Sequence, residues 1–508
     1  MASIASLLIY NNALSGEMPT NPRVQSGNVQ IEGTGTNHLK INQSTNKSII
    51  NWDSFSIHKG GQVDFNMPSS KSSSLNRVTG STPSRIAGQI NSNGKVLLIN
   101  PNGVAITKSG TVKTSSFTAS TLDIKNSDFL NDKYSFSGKG SSKGVSNSGK
   151  IIVGAGGNAA LLGGHISNTG LVLAKIGRIA LGAGEKITLD FVGDGLMKIT
   201  VPTNQLGVIR DINGNTLKSL ISNTGTLKAN GGVIELSART AQALSRGSVN
   251  IGSSGMVIAK TLGDKSGKIV IGSPKDSNIK IAGKIEVSKP IKSLSPSGTV
   301  IVQGRNITHT GNIYANGRSG GKVKILSKEN ISIDGNIIAE GSKENGGNVV
   351  ILAENQVKIS EKTIVNVSGK KQGGVIRSLA KQSNTTSGNL NAASESGFGG
   401  KVDVTGDSVK VSSTTINASG KLGGGKVRVG GEYLGGKLTN MDNNYKGFVT
   451  RFGDQPQLQN AKQTIVTADA NIDVSSQKGK GGTTVIWSDQ VTEFDGQINA
   501  KGSEKIPV

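Results

Sequence analysis

The second half of the chain repeats one pattern of apolar and polar positions. A glycine pair is followed by alternating apolar residues, as in GGKVKI from Gly320 and GGKVRV from Gly424. Variants of this phrase begin at Gly346, Gly373, Gly399 and Gly481. Successive starts lie roughly 25 to 27 residues apart, and the last gap is about double that. Alternation with period two predicts a short strand with one buried face after each glycine pair.

A second phrase precedes several of the glycine pairs. It is a short apolar alternation that ends in a small-residue turn, as in NIYANG up to Gly317 and TINASG up to Gly420. Strands and turns that recur at a period in the twenties are typical of a parallel β-solenoid, in which each coil stacks on the next. We therefore predict an all-β fold, a right-handed parallel β-helix of roughly 18 coils and about 85 Å. Its open sheet edge predicts an N-terminal capping region.

Composition agrees with a thin stacked core. The chain has 71 glycines but only 10 Phe, 5 Tyr and 2 Trp, and stacked β-branched residues need few bulky aromatic rings. The absence of cysteine excludes disulfides and thiolate chemistry. The net charge of +24 favours anionic partners without choosing among them. No apolar run is long enough for a membrane-spanning helix.

The N-terminus admits two interpretations. Residues 2–15 contain a short apolar stretch with small residues at its end, which is typical of the back half of a signal peptide. The stretch has no basic residue before it, and the first positive side chain is Arg23. Residues 1–15 are therefore either a shortened signal peptide or a frayed terminus.

The segment Asn100-Pro101-Asn102-Gly103 follows an apolar strand. Asn-Pro favours the start of a turn, and Asn-Gly tolerates positive φ. These four residues are therefore expected to form a rigid β-turn between stacked strands. They shape that turn or contact a partner directly, and both roles would make Asn102 and Gly103 sensitive to substitution.

Several linked sequence blocks surround this turn: INW at Ile50–Trp52, LNRVTG at Leu75–Gly80 and STLDI at Ser120–Ile124. Together with the NPNG segment, these blocks resemble the N-terminal secretion domain of the filamentous haemagglutinin family, over residues up to about Val201. The later repeats are similar to the solenoid that follows this domain in the family.

The resemblance implies two-partner secretion: export through an outer-membrane β-barrel transporter with periplasmic peptide-binding domains, and a location outside the cell or on its surface. It divides the chain into a signal segment (1–15), a capped secretion domain (16–205) and β-helix repeats (206–508). The NPNL element that the family often shows is not found. Family members are frequently far longer, so binding domains that usually lie distally are expected to be missing.

Basic residues recur at outward positions of the alternation. Five of them could form a ladder that binds anionic glycans: Lys322, Lys324, Lys401, Lys426 and Arg428. Lys410 is a sixth candidate for this ladder. The alternative is a solvated face that only keeps the rod soluble.

Other motifs are weak. Residues 420–427 approach a phosphate-binding loop but lack its Ser or Thr, and a repeated turn explains them. The four histidines follow no metal-ligand spacing, and Asp190 with Asp194 is better explained as the end of a strand block. No basic-aromatic module for nucleic acid is present. We predict an adhesin without catalytic residues or cofactor. The alternatives are a β-helix enzyme acting on polysaccharides and a haem-protein-capturing exoprotein.

Overall fold

The computed structural model describes residues 17–190, 197–202, 209–210, 214, 216–217, 219–239, 247–273, 277–291, 297–436 and 458–503. The proposed signal segment 1–15 lies outside these residues. In the described part the chain winds through three long sheets, which form the faces of a right-handed parallel β-helix. The fold class predicted from the repeats is confirmed.

The first sheet has 16 strands: Arg23–Ser26, Lys47–Trp52, Ser73–Val78, Lys95–Ile99, Ser116–Ser120, Asn158–Gly163, Arg178–Ala183, Val233–Ala238, Lys268–Ile271, Thr299–Gly304, Lys322–Ser327, Asn348–Ala353, Val375–Ala380, Lys401–Thr405, Lys426–Val429 and Thr483–Ile486.

The second sheet has 14 strands: Ser84–Ile86, Val104–Ile106, Gly144–Asn147, His165–Asn168, Ser219–Asn223, Gly247–Ile251, Asn278–Ile281, Asn306–His309, Asn330–Ile333, Gln356–Ile359, Ser383–Thr386, Ser408–Val411, Gln463–Val466 and Val491–Phe494.

The strands of the third sheet are Val29–Glu32, His38–Gln43, Gln62–Asn66, Gln89–Ser92, Thr111–Thr114, Lys150–Val153, Leu171–Ala174, Thr226–Lys228, Met256–Ile258, Lys284–Glu286, Asn312–Tyr314, Asn336–Ile338, Ile364–Asn366, Asn389–Asn391, Thr415–Asn417, Asn471–Asp473 and Gln497–Asn499.

Each repeat coil passes through the first, second and third sheets in turn, and each of its strands pairs in parallel with its counterpart one coil away. Strand alternation points one set of side chains inward, where Ile325, Ile333 and Ile337 are fully buried in one coil. Stacking continues these columns into a single hydrophobic core along the solenoid. The core is narrow, so β-branched side chains fill it without aromatic bulk.

The glycine pairs mark the corner between the third and first sheets, and close approach of the coils explains them. A Cβ on Gly374 would lie 2.1 Å from the carbonyl oxygen of Gly347, and one on Gly347 would lie 2.4 Å from that of Gly321. Neighbouring coils thus meet backbone to backbone at this corner. A side chain on the second glycine of each pair would push the coils apart.

The N-terminal end differs from the repeats, as the open-edge argument predicts. Arg23–Ser26 and Val29–Glu32 pair antiparallel with Lys47–Trp52 and His38–Gln43, so they cover the starting edges of the first and third sheets. The predicted capping region is confirmed.

A fourth, antiparallel sheet packs outside the solenoid. Its strands are Asp123–Ile124, Ser135–Ser137, Lys186–Leu189 and Met197–Val201, and the helix Asn126–Leu130 lies between the first two. We call it the capping sheet. Residues in the capping sheet do not contribute to the coils of the β-helix. This explains why the first sheet has 16 described strands, compared with the roughly 18 coils predicted from the sequence. The remaining elements are a two-stranded sheet, Ile209–Arg210 with Thr216–Leu217, and a 3₁₀ turn, Tyr433–Gly436.

Candidate functional site

The segment 100–103 forms the turn that carries the chain from the first sheet to the second. The Gly103 amide donates to the Asn100 carbonyl oxygen at 3.0 Å, which closes a four-residue β-turn. Asn100 is completely buried, and its side-chain amide donates to the Thr82 carbonyl (2.9 Å) and to Ser84 Oγ (3.0 Å). The asparagine therefore fixes the turn against the coil before it.

Asn102 also holds the turn against the preceding coil. Asn102 donates from its backbone amide to Asn100 Oδ1 at 2.9 Å and from its side-chain amide to the Gly80 carbonyl at 2.8 Å. Gly103 has φ +122°, a conformation that side chains disfavour. Pro101 is the exposed residue of the four. A rigid turn is what the sequence predicted; contact with a partner stays a prediction.

The sequence blocks that carry the family resemblance meet in space around this turn. Trp52 of the INW block donates through Nε1 to buried Asn76 of LNRVTG at 3.0 Å. The neighbouring Arg77 donates to Asp123 of STLDI at 2.9 Å. The Asn100 amide donates to the Ser120 carbonyl. The blocks are therefore one hydrogen-bonded unit that joins the solenoid to the capping sheet.

A second hydrophobic core fills the space between the first sheet and the capping sheet. Outward-facing Ile49, Leu75 and Leu97 of the solenoid pack in the same cluster as Phe129 and Phe136. Both rings are fully buried. In this part of the chain, the first sheet is thus buried on both faces, which is why the strands Lys95–Ile99 and Asn158–Gly163 carry runs of consecutive apolar residues.

A cleft of about 750 Å³ opens beside this second core. Its polar side is formed by Lys47, which donates to Asp132 at 2.8 Å and to the Leu130 carbonyl at 2.8 Å. The Lys47 hydrogen bond holds the pKa of Asp132 below its usual range. Burial, with Asp132 nearby, raises the pKa of Tyr134 to about 12. These groups tie the capping sheet to the solenoid, and sequence reasoning did not single them out.

The basic ladder is less continuous than predicted. Lys322 and Lys324 are exposed on the first sheet, but Asn348 and Val375 separate Lys322 from Lys401 in their column. Lys401 and Lys426 are adjacent and half-buried. Burial, together with Lys401 and Arg428, lowers the pKa of Lys426 to about 8.

Arg428 lies at an outward position of its strand, as predicted, but it is buried and not available for a ligand. It is 5% exposed and binds Asp403 at 2.7 Å and Glu432 at 2.6 Å. The segment that begins at Gly430 follows its strand, and Glu432 in that segment closes over the arginine. Lys410, which was grouped with the ladder, lies on the second sheet instead. The glycan-binding role of the remaining lysines stays a prediction.

The weak motifs remain weak. Residues 420–427 form a turn and a strand of the repeat. Among the described residues, no group of His, Asp and Glu could hold a metal ion, and no helix is long and apolar enough to span a membrane. Asp194 lies outside the described residues, so its pairing with Asp190 stays untested.

One buried polar feature was missed. Asn147, Asn168 and Asn223 stack in three successive strands of the second sheet, and all are fully buried. Asn147 donates to Asn168 Oδ1 at 2.8 Å, and Asn168 donates to Asn223 Oδ1 at 2.7 Å. The repeated phrases VSNSG, ISNTG and ISNTG, from Val145, Ile166 and Ile221, could have revealed this ladder.

The first half of the chain matches a known protein family. The family described as the TPS secretion domain matches residues 18–271. A heme/hemopexin-binding protein of Haemophilus influenzae is 25% identical over 350 residues, 65% of this chain and 36% of the relative. The protein of the same name from strain KW20 / Rd is 29% identical over 249 residues, 47% of this chain and 26% of the relative. The matched regions thus span about a third or less of these curated relatives.

Two solved structures align with much of the chain. The HMW1 secretion domain from Haemophilus influenzae aligns with 96% of this chain and 91% of its own, at 23% identity and a TM-score of 0.38. The filamentous hemagglutinin secretion domain aligns with 68% of this chain and 100% of its own, at 16% identity and a TM-score of 0.31.

Proposed function

The chain belongs to the family of exoproteins that carry a two-partner secretion (TPS) domain, and from that premise we propose that it is exported through a partner outer-membrane transporter and folds outside the cell as an adhesive rod. The observation that carries this proposal is the family match over residues 18–271, whose blocks form one hydrogen-bonded unit. The boundary at residue 205 between secretion domain and repeats stays a prediction.

The fold suits export in an extended state. In the described part of the solenoid, the strands of each coil pair with those of the coils before and after it, so a coil that emerges from a pore can add to its predecessor at once. The capped start provides the first template, since its hairpin strands cover the edges on the other side. We propose two alternative roles for the residues around the 100–103 turn. They either bind the transporter, with exposed Pro101 as the contact, or they fix the conformation of the first coils.

The test is co-expression of the full chain with its candidate transporter, followed by measurement of the chain in the medium and on the cell surface. We expect transporter-dependent appearance outside. Asn100→Ala and Asn102→Ala should reduce it because they remove bonds that hold the turn. Pro101→Ala removes only an exposed ring, so a loss of export in this variant would favour direct contact with the transporter, and unchanged export would favour the role in setting the first coils. Asn355→Ala, at the same sheet corner in a repeat coil, is the matched control. Retention of the unaltered chain inside the cell would contradict the proposal.

Capture of a haem protein is the second candidate function. It rests on one observation, that two relatives are named heme/hemopexin-binding proteins. The direct measurement is binding of the purified chain to immobilised hemopexin with and without haem, compared with its attachment to cells. Binding to hemopexin without attachment to cells would favour capture over adhesion.

Glycan binding by Lys322, Lys324 and Lys401 is retained as a proposal about the first sheet. It predicts salt-sensitive retention on a sulfated glycan that falls in the Lys322→Gln, Lys324→Gln double variant. Salt-insensitive retention, or none, would contradict it.

A further inference from the structure

A ridge of turns runs along the corner between the third and first sheets. It consists of residues 342–346, 370–373, 395–399, 421–424 and 477–481, one turn from each of five successive coils at this corner. We call it the turn ridge. Coil stacking at about 4.8 Å places equivalent residues of these turns in line.

Backbone hydrogen bonds hold the turns in register. The Lys371 amide donates to the Glu344 carbonyl, the Ser396 amide to Lys370, the Leu422 amide to Gly397 and the Lys478 amide to Lys421, at 2.8 to 3.1 Å. Parallel bridges join Gln372 to Phe398 and Phe398 to Gly423. The ridge is therefore a rigid projecting edge of the rod.

Two large apolar side chains project from the ridge at neighbouring positions. Phe398 is 56% exposed and Leu422 is 48% exposed. The Phe398 ring lies against Gly423, where an added Cβ would come within 2.7 Å of the ring. The ring is thus supported by the next coil while most of it faces solvent. Exposed Phe and Leu side chains on a turn do not pack in the solenoid core, and they do not increase solubility.

Lysines surround this apolar pair. The ridge carries six, Lys343, Lys370, Lys371, Lys421, Lys478 and Lys480, against two acidic residues, Glu344 and Glu395. Glu344 is neutralised by Lys371 at 2.7 Å and Arg318 at 2.9 Å. Among the described residues, the other five lysines form no ion pair. The ridge is therefore cationic, with an apolar tip.

We propose that the turn ridge docks the rod on an anionic lipid surface. Projecting apolar side chains enter the boundary between headgroups and acyl chains, and lysines around them bind the headgroup phosphates. A projecting edge suits a membrane surface, whereas a small anion would need converging donors in a cavity. The proposal does not depend on which transporter exports the chain.

The test uses purified full chain and vesicles of phosphatidylcholine alone or with phosphatidylglycerol, with binding measured by co-sedimentation. We expect binding only to the anionic vesicles, and weaker binding at high salt. Replacing Lys370 and Lys421 with Gln should weaken it roughly fivefold per lysine. The Phe398→Ser, Leu422→Ser double variant should weaken it by roughly tenfold or more.

Two controls match these variants. Leu352→Ser removes an apolar side chain that is 41% exposed on the first sheet, and Lys358→Gln with Lys410→Gln removes two exposed lysines of the second sheet. Both should bind vesicles as the unaltered chain does. Binding of heparin, a soluble polyanion, is measured in parallel. If heparin binds as tightly as the vesicles and the Phe398, Leu422 variant binds vesicles normally, the ridge is a polyanion site and the lipid proposal is overturned. Equal losses in the control variants would also overturn it.

Discussion

The capped start, residues 17–190, and the later repeats, residues 297–436, differ in the contacts that hold stacked coils together. The start fixes its coils with specific buried contacts, such as Trp52 to Asn76 and Asn100 to Ser84. The repeats rely on columns of Ile and Val and on backbone contact at the glycine pairs. Similar coils can stack in more than one register, since alternation alone defines only which face is buried. We therefore expect the start to specify the register and the repeats to extend it.

The largest loss of stability is expected for a substitution in the second hydrophobic core, which in the described residues lies beside the start and not beside the repeats. Phe136→Ala removes a fully buried ring between the first sheet and the capping sheet. We expect it to cost about 3 to 5 kcal/mol of unfolding free energy, since the cavity would not collapse between two sheets. Denaturant titration measures this. Phe398→Ala, which truncates a ring 56% exposed, is the control and should change little. Equal costs would mean that the capping sheet is not part of the folded core.

The sequence predicted the repeats better than the start for a physical reason. Gly374 and its equivalents recur because every coil meets its neighbour in the same way, so periodicity alone reveals the fold. In the start, Arg77 binds Asp123 across 46 positions, and no local pattern predicts such a contact. There the family resemblance supplied the location of the unit, and only the structure gave its contacts. Arg428 shows the limit of alternation: an outward position was buried by the segment that follows its strand.

Among the residues of the repeats that the structure describes, His309 is the titratable group in the core column, and it predicts a pH dependence. His309 is fully buried between Ile281 and Ile333 of adjacent coils, and Nε2 donates to the Asn336 carbonyl at 3.2 Å. Burial lowers its pKa from 6.5 to about 4. The unfolded chain then binds the proton more readily between these values, so stability falls as pH falls from about 6.5 to 4.

The loss amounts to on the order of 3 kcal/mol at the acid end. His309→Ile continues the isoleucine column and removes the proton site. Unfolding free energy measured from pH 7 to pH 4 should decrease more in the unaltered chain than in this variant. Parallel pH profiles for the two proteins would show that His309 does not carry the dependence.

Two asparagine ladders sharpen the comparison, because one begins in the capped start and the other continues into the repeats. Asn168→Ala leaves Asn147 and Asn223 without their side-chain partner in a fully buried column, which should cost about 1 to 3 kcal/mol. Asn306→Ala interrupts a half-exposed ladder with Asn278 and Asn330, where water can replace the bonds. We expect a cost of about 0.5 kcal/mol or less there. Denaturation midpoints that shift equally would mean that burial does not distinguish the two ladders.

The smallest effect is expected for the ion pairs on the outside of the repeats. Glu354 bridges Lys328 and Lys381 of the adjacent coils, and the hydrogen bond from Lys328, with the charge of Lys381 nearby, holds the pKa of Glu354 below its usual range. All three side chains face water, which screens their attraction. Glu354→Gln should therefore leave the denaturation midpoint unchanged at physiological salt. Ile351→Ala, which removes a fully buried side chain from the adjacent strand, should cost about 2 to 5 kcal/mol. A Glu354→Gln midpoint that falls as far as that of Ile351→Ala would assign the stability of the repeats to surface charge, whereas an unchanged midpoint leaves it with the stacked apolar columns.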